Sequence, residues 1–441
     1  MKLGLIRAAG KNETSPYEPL GLLYIASYLE KYMNFKDVII TENIDTLLKE
    51  KPDIAGISIY TIYLSEAEEI INKIKEELGI PVIVGGPHVT LLPDFLPDKS
   101  DIAVIGEGEQ TILELLELYL REKKFDPYHL VKIPGIIFKD GSKRIKTQPR
   151  ELIYSLDLIP PPKRELLKKH YYTPKILTGR GCPYKCAFCS TPVLWHKFRM
   201  FSNDYIYKEL LQIVDSSGTR IDIVDDLFSI SIQKIKDFSK FIVSRGIEKE
   251  VSFYVNIRAD TFNEEMCYLL KKMNTTKVFI GFESASEKIL KFYNKKQTVA
   301  DNQRVIDLCY TYDIQIIGSF IIGAPIETRK DIKETYNFIY KNSEKIYNFA
   351  CSFLSPDPGT AIWEYIKPVM PEIKTIDDLL EIMYSTNWSE HLTTEELINY
   401  YRKICSIETA CHKHLNNHLK RVIKFSTDLN RAGFQSPLDL L

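Results

Sequence analysis

No cysteine precedes Cys182, although the chain of 441 residues carries eight. The first part of the sequence therefore offers no thiolates for a metal cluster of its own. Charge of one sign is missing too. The 58 Lys and Arg against 59 Asp and Glu leave a formal net charge of -1, which argues against a protein that grips nucleic acid through its bulk field. Basic pairs such as Lys163-Arg164 and Lys168-Lys169 are local and read as a solvated face. No uninterrupted apolar run approaches the length that spans a bilayer. Met1–Ile6 reads as a strand, without the apolar core and cleavage site of a leader. The thiols are thus expected in a reducing, cytoplasmic setting where they are free for metal. The apolar share of 44% is ordinary for a globular protein, and the length calls for two or three domains.

What is present is one dense run, Gly181-Cys182-Pro183-Tyr184-Lys185-Cys186-Ala187-Phe188-Cys189. Its C-x-x-x-C-x-x-C spacing suits three irons of a [4Fe–4S] cube, with the fourth iron left open. A zinc site would normally pair two short Cys/His hairpins, and the next cysteine is Cys267. The run resembles the cluster loop of the radical S-adenosylmethionine (SAM) enzymes. That resemblance implies Cys182, Cys186 and Cys189 as both metal ligands and catalytic residues. It also implies SAM chelated at the open iron. Cys267, Cys309, Cys351, Cys405 and Cys411 lie on apolar patterns and read as small core residues. Cys405 and Cys411 with His412, His414 and His418 match no standard metal spacing and read as a solvated or packed helix.

Over residues 1–150, short apolar runs (Leu3–Ile6, Val38–Ile40, Ile54–Ser58, Val82–Gly85, Ile102–Ile105) alternate with helical patterns (Leu20–Tyr32, Glu66–Leu78, Thr111–Leu120). That alternation predicts a parallel, doubly wound, Rossmann-like α/β sheet. Ligands bind at the carboxyl ends of such strands. The loops there carry Ser58, Gly85-Gly86 and Gly106-Glu107-Gly108-Glu109, where glycines let a backbone approach a bulky ligand, although tight turns need glycine anyway. With Pro19–Tyr24 and Val84–Thr90, the pattern resembles the cobalamin-binding domain that precedes many radical SAM cores. Ser58 and Gly85-Gly86 match two of its signatures approximately. The third, D-x-H-x-x-G, is absent; the loop after the first strand reads Arg7-Ala8-Ala9-Gly10-Lys11. The resemblance implies cobalamin held by Ser58, Gly85, Gly86, Gly106 and Gly108 without that histidine. His88 reads equally as a lower contact to a corrin or as a turn histidine satisfied by backbone.

Asp140-Gly141 marks a β-hairpin. Leu158-Ile159-Pro160-Pro161-Pro162-Lys163 reads as a stiff linker within residues 151–171. From 172 to 362 the alternation restarts: strands Lys175–Thr178, Arg220–Val224, Val251–Ile257, Lys277–Phe282, Ile314–Ile322 and Tyr347–Leu354 are separated by helices. Six such units predict a partial (β/α)6 TIM-like barrel with its site at the carboxyl ends of the strands. The cysteine loop directly follows the first strand. The later strands end in polar residues that resemble the radical SAM pattern. Asp225 would bind the SAM amino group or the substrate, while Asp226 alternatively caps the next helix. Arg258 would neutralise a carboxylate, its alternative being a surface pair with Asp260. Glu283 and Ser284 resemble the ribose- and methionine-contacting strand; a buried glutamate needs a partner, which favours a ligand. Gly323 and Pro325 resemble the segment along the adenine, and Phe188 would pack on it. Arg199 matches a commonly basic position. Residues 363–441 read as a helical cap whose Tyr384, Trp388, His391, Tyr400 and Tyr401 either close over substrate or pack as core.

The resemblance implies that an electron from the cluster cleaves SAM to methionine and a 5′-deoxyadenosyl radical. It implies cobalamin-dependent methyl transfer to an unactivated carbon or phosphorus centre, the alternative outcomes being cyclisation, rearrangement or C–C coupling. The implied partners are an electron donor such as flavodoxin or ferredoxin and a small-molecule, peptide or lipid substrate. A methylthiotransferase would need three more cysteines in the first domain. A non-catalytic cobalamin or iron–sulfur sensor would have no need of the SAM-type strand ends.

Overall fold

The computed structural model describes residues 1–9, 17–167, 173–214, 220–384 and 387–407. Lys168-Lys169, Cys411 and the histidines at 412, 414 and 418 fall outside these ranges, as does the Tyr384 side chain. Two compact units emerge, one formed by 1–181 with 191–224, the other by 182–190 with 225–441.

The first unit holds a seven-stranded sheet ordered β2-β1-β3-β4-β5-β6-β7. Its strands are β1 (Leu3–Arg7), β2 (Val38–Thr41), β3 (Ile54–Ser58), β4 (Val82–Gly85), β5 (Ile102–Val104), β6 (Ile136–Asp140) and β7 (Lys143–Lys146). β1 to β5 run parallel, and β6 and β7 continue antiparallel as the expected hairpin. Every residue of β1 is buried, which is why it reads as a continuous apolar run rather than an alternating one. The helix Leu64–Glu77 buries Leu64, Ala67, Ile70, Ile71 and Ile74, a three-and-four spacing that makes one apolar face. Chain order reverses between β1 and β3, and such a switch point opens a crevice at the carboxyl ends of the strands.

The segment expected as a linker is strapped down. Lys31 Nζ and Tyr32 Oη both donate to the Leu158 carbonyl, at 3.1 and 2.8 Å. The Lys163-Arg164 pair is not a solvated face either. Lys163 pairs with Glu30, and Arg164 Nη2 meets the fully buried Glu209 at 2.7 Å. Two further parallel strands, β8 (Lys175–Ile176) and β11 (Arg220–Ile223), also belong to this unit. Between them in sequence lie β9 (Gly179–Arg180) and β10 (Arg199–Met200), which pair antiparallel.

The second unit carries β12 (Ser252–Ile257), β13 (Thr275–Glu283), β14 (Gln315–Ile322) and β15 (Asn348–Phe353), all parallel neighbours. Four of its helices begin at side-chain caps, Ser231, Asn263, and the reciprocal Thr298–Asp301 and Thr328–Asp331 boxes, each satisfying backbone N–H groups left open at a helix start. Ser231, not Asp226, caps Ile232–Ser244. Cys267, Cys309, Cys351 and Cys405 are buried, as expected of core residues. Tyr401 is core as well, stacked on Phe353 at 4.7 Å, whereas His391 is exposed.

Candidate functional sites

A cavity of about 670 Å³ opens in the first unit where β1, β3, β4 and β5 end. Ser58, Gly85, Gly86, Gly106 and Gly108 all line it. Gly86 has φ 101°, and a Cβ there would sit 2.9 Å from the Ile59 carbonyl and 3.1 Å from Ser58 Oγ, so only glycine fits this turn. A Cβ on Gly106 would meet nothing within 4 Å. Leu5, Ile57, Ile83 and Val104 give the cavity an apolar lining, and Arg7 Nε, on its wall, is buried with no hydrogen-bond partner among the described residues. A concave, mostly apolar volume with a few placed donors is the usual form of a cofactor pocket. His88 is fully buried, with Nε2 2.7 Å from the Phe95 carbonyl and Nδ1 3.2 Å from Thr61 Oγ1. Burial holds its pKa below the ordinary histidine value. It is the satisfied turn histidine of the two readings.

The glutamates between those glycines carry a buried charge lattice that the sequence reading passed over. Arg180 reaches Glu107 and Glu109 at 2.7 Å each, and Arg199 reaches the other Glu107 oxygen at 2.8 Å. Glu107 also accepts the Ile153 N–H at 2.9 Å. Burial would raise the Glu107 carboxyl, but Arg199 and Arg180 outweigh it and hold it below the usual range. Burial likewise works against Arg180, and Glu109 and Glu107 outweigh it and push its pKa up. The lattice sits at the cavity wall, since Glu107, Glu109 and Arg180 all line it. Arg199 therefore has an internal partner rather than an open role downstream of the cysteines.

In the second unit the cysteine loop is fixed by backbone. Ala187 N–H donates to Tyr293 O at 2.8 Å, Ile362 N–H to Ala187 O at 2.9 Å, and Asn294 Nδ2 to Lys185 O at 2.7 Å. The loop closes on itself through Cys189 N–H to Cys186 O at 3.1 Å. All three cysteines are half-buried. Burial pushes the Cys182 thiol up, eased by a hydrogen bond from the Tyr184 backbone. Arg258 Nη1 donates to Cys186 Sγ at 3.4 Å. Among the described residues no His, Cys, Asp and Glu side chains gather around a single metal ion. A cube needs a different set, one thiolate for each of three irons, and a loop presenting three half-buried thiols beside a guanidinium fits that need.

The strand-end residues are largely committed to internal partners. Asp225 is buried and paired with Lys234 at 3.0 Å. Glu283 is buried and paired with Lys295 at 2.6 Å, so the partner its burial demands is a lysine rather than a ligand. Ser284 Oγ lies 3.1 Å from Thr335 Oγ1 and accepts the Ser286 N–H. Gly323 and Ala324 donate their N–H groups to Glu327 Oε2 at 2.6 and 3.2 Å. Burial raises the Glu327 carboxyl to about 7 against those two donors. Arg258 and Asp260 form a buried fork, not a surface pair, at 3.0 Å through both Nε and Nη2. Phe188 meets Tyr293 edge-on, ring centres 5.2 Å apart. Both pack with Ala324, Leu354 and Trp388 in one apolar cluster, and Pro325 beside Ala324 is buried too.

Two family models match the chain. Residues 176–339 match the model of the radical SAM superfamily, and residues 6–116 match the B12 binding domain. An uncharacterized methyltransferase of Pyrococcus horikoshii, PH0819, is 30% identical over 413 residues, covering 87% of this chain and 86% of the relative. The anaerobic magnesium-protoporphyrin IX monomethyl ester cyclase of Cereibacter sphaeroides is 24% identical, covering 98% and 76%. In fold the chain is similar to the radical SAM methyltransferase TsrM of Kitasatospora setae, solved with cobalamin and a [4Fe–4S] cluster. That match has a TM-score of 0.71 at 19% identity and covers 85% of this chain and 76% of the other. The chain belongs to the radical SAM superfamily, with a B12 binding domain ahead of the radical SAM core. It is an enzyme whose cofactors are a [4Fe–4S] cluster, SAM and cobalamin.

Proposed function

We propose that this enzyme transfers a methyl group from SAM, by way of cobalamin, to an unactivated carbon or phosphorus centre. The observation that carries the proposal is the cavity at the β1/β3 switch point, lined by Ser58, Gly85, Gly86, Gly106 and Gly108 together. The methyltransferase name of the Pyrococcus relative supports the same reading. When bound, the cluster supplies the electron that splits SAM and cobalamin carries the methyl group.

The chain's own residues bind and orient. Cys182, Cys186 and Cys189 hold the cluster. Glu327 fixes the Gly323–Ala324 backbone, and with Phe188 and Pro325 this segment makes the adenosine wall. The Asp225–Lys234 and Glu283–Lys295 pairs keep the ends of their strands rigid, since a neutralised, desolvated pair resists rearrangement. Ser284 acts through the same buried network. Arg7 Nε and the glycine turns hold cobalamin at the cavity. A low-potential donor of the flavodoxin or ferredoxin type reduces the enzyme in the cytoplasm, and the described residues contain no helix long and apolar enough to cross a membrane.

Anaerobic reconstitution with iron, sulfide and cobalamin tests this, using SAM labelled in its methyl group. The expected result is a brown, cobalamin-containing protein that forms 5′-deoxyadenosine and methylates cobalamin from labelled SAM. Formation of 5′-deoxyadenosine by a protein that never retains cobalamin would remove the methyl-transfer step and leave the radical step standing.

A further inference from the structure

Arg258 directly follows β12, and three separate contacts fix its guanidinium. Its Nε and Nη2 grip the two Asp260 oxygens at 3.0 Å each, a bidentate fork. Its remaining nitrogen, Nη1, donates to Cys186 Sγ at 3.4 Å. The plane lies over the Tyr184 ring at 3.7 Å, a favourable seat for a cation. Arg258 is 6% exposed, so solvent screens its charge weakly. Tyr184 and Cys186 belong to the cysteine run itself, so this cation is built into the cluster loop from a distant strand.

Hydrogen bonds to the cysteine sulfurs and the local net charge both set the potential of an iron–sulfur cluster. Adding one electron makes a cluster more negative by one charge. A buried cation and an N–H donor on a ligand sulfur favour that reduced form over the oxidised one. Asp260 opposes this, partly neutralising the guanidinium while holding it in line with the sulfur. We infer that Arg258 is a positioning residue that tunes the reduction potential of the cluster through Cys186, with Asp260 as its counterweight. The inference rests on the cluster assignment to Cys182, Cys186 and Cys189. It assigns Arg258 to the cluster ligand, where the strand-end pattern alone pointed to neutralising a carboxylate.

The test is a dithionite-poised titration of the reconstituted full-length enzyme, followed by the electron paramagnetic resonance signal of the reduced cluster before SAM is added. Arg258→Gln is expected to lower the ratio of reduced to oxidised cluster about tenfold at a fixed poise, equivalent to about 59 mV for one electron. Asp260→Asn is expected to shift the ratio the opposite way, because the guanidinium loses its counter-charge. General damage to the loop would not give opposite signs. Unchanged ratios in both variants, with iron and sulfide content matching wild type, would overturn the inference. So would a loss of SAM binding in Arg258→Gln with the ratio unmoved. Should Arg258→Gln take up no cluster, Asp260→Asn decides alone: an unmoved ratio refutes the tuning role and an upward shift upholds it. A wild-type protein that takes up no cluster would instead refute the cluster assignment and this inference with it.

Discussion

Glu283 adopts φ 62°, a left-handed backbone that costs a residue of this size on the order of 1 kcal/mol. It is held there by Lys295 at 2.6 Å, and Gly281 leaves the room: a Cβ on Gly281 would sit 2.1 Å from Glu283 Oε1. Glu283→Gln strands a buried ammonium, so denaturant titration should show a loss of about 3–5 kcal/mol. The double variant with Lys295→Met should recover most of it, because no charge is then left unpaired. Glu327 makes the complementary case. Its folded pKa, about 7, stands above the ordinary value of 4.5. Its contribution to stability is therefore whole below pH 4.5 and is lost as pH rises through about 7. The loss should total on the order of 3 kcal/mol. Urea midpoints of wild type and Glu327→Gln across that window should diverge; parallel curves would refute the assignment.

At the scale of elements, the cluster loop draws its shape from two downstream helix ends. Asn294, itself left-handed at φ 50°, follows the helix Glu287–Phe292 and holds Lys185 O. Ile362, in the first turn of Ala361–Ile366, holds Ala187 O. Asn294→Ala should cost about 1 kcal/mol and speed the loss of iron to a chelator, read from absorbance, with the fold otherwise intact. The loop's metal chemistry was legible from spacing alone, because three thiols within eight residues have few other uses. The strands were legible for a similar reason: runs such as those of β1 and β4 are buried on both faces, so composition marks them without periodicity. The ion-pair partners were not legible. Lys234 and Lys295 lie among many lysines, and only the backbone path makes them the ones that fold back onto Asp225 and Glu283. Glu107 and Glu109 showed no role in the sequence because Arg180 and Arg199 lie far along the chain. His88 looked open to a ligand because the sequence does not show that Phe95 and Thr61 come round to satisfy it.

For the whole molecule, the cavity proposed for cobalamin lies in one unit and the cysteine loop in the other, so the two cofactors should be separable by mutation. Gly86→Val places a branched side chain at φ 101° against the Ile59 backbone. It should abolish retention of cobalamin, read from the visible spectrum after gel filtration, while leaving iron content at the wild-type level. Loss of both cofactors together would show that the cavity and the loop depend on each other. Glu107→Gln removes the shared acceptor of two buried arginines and should lower the melting temperature by several degrees, consistent with about 3–5 kcal/mol for breaking such a lattice.

The chain enters the second unit for Cys182–Ser190, returns to the first for Thr191–Val224, and only then stays. The cysteines are thus synthesised long before Tyr293, Asn294 and Ile362, the residues that give their loop its shape. A chain that stops short of Ile362 carries the thiols without the full set of backbone partners that shape their loop. The first unit is unfinished at that point in the chain where the thiols end, too: Arg199, which pairs with Glu107, and Trp195 and Val224, which line the cavity, all follow the cysteines. Neither the cysteine loop nor the cavity wall is therefore complete until residues well beyond Cys189 are present.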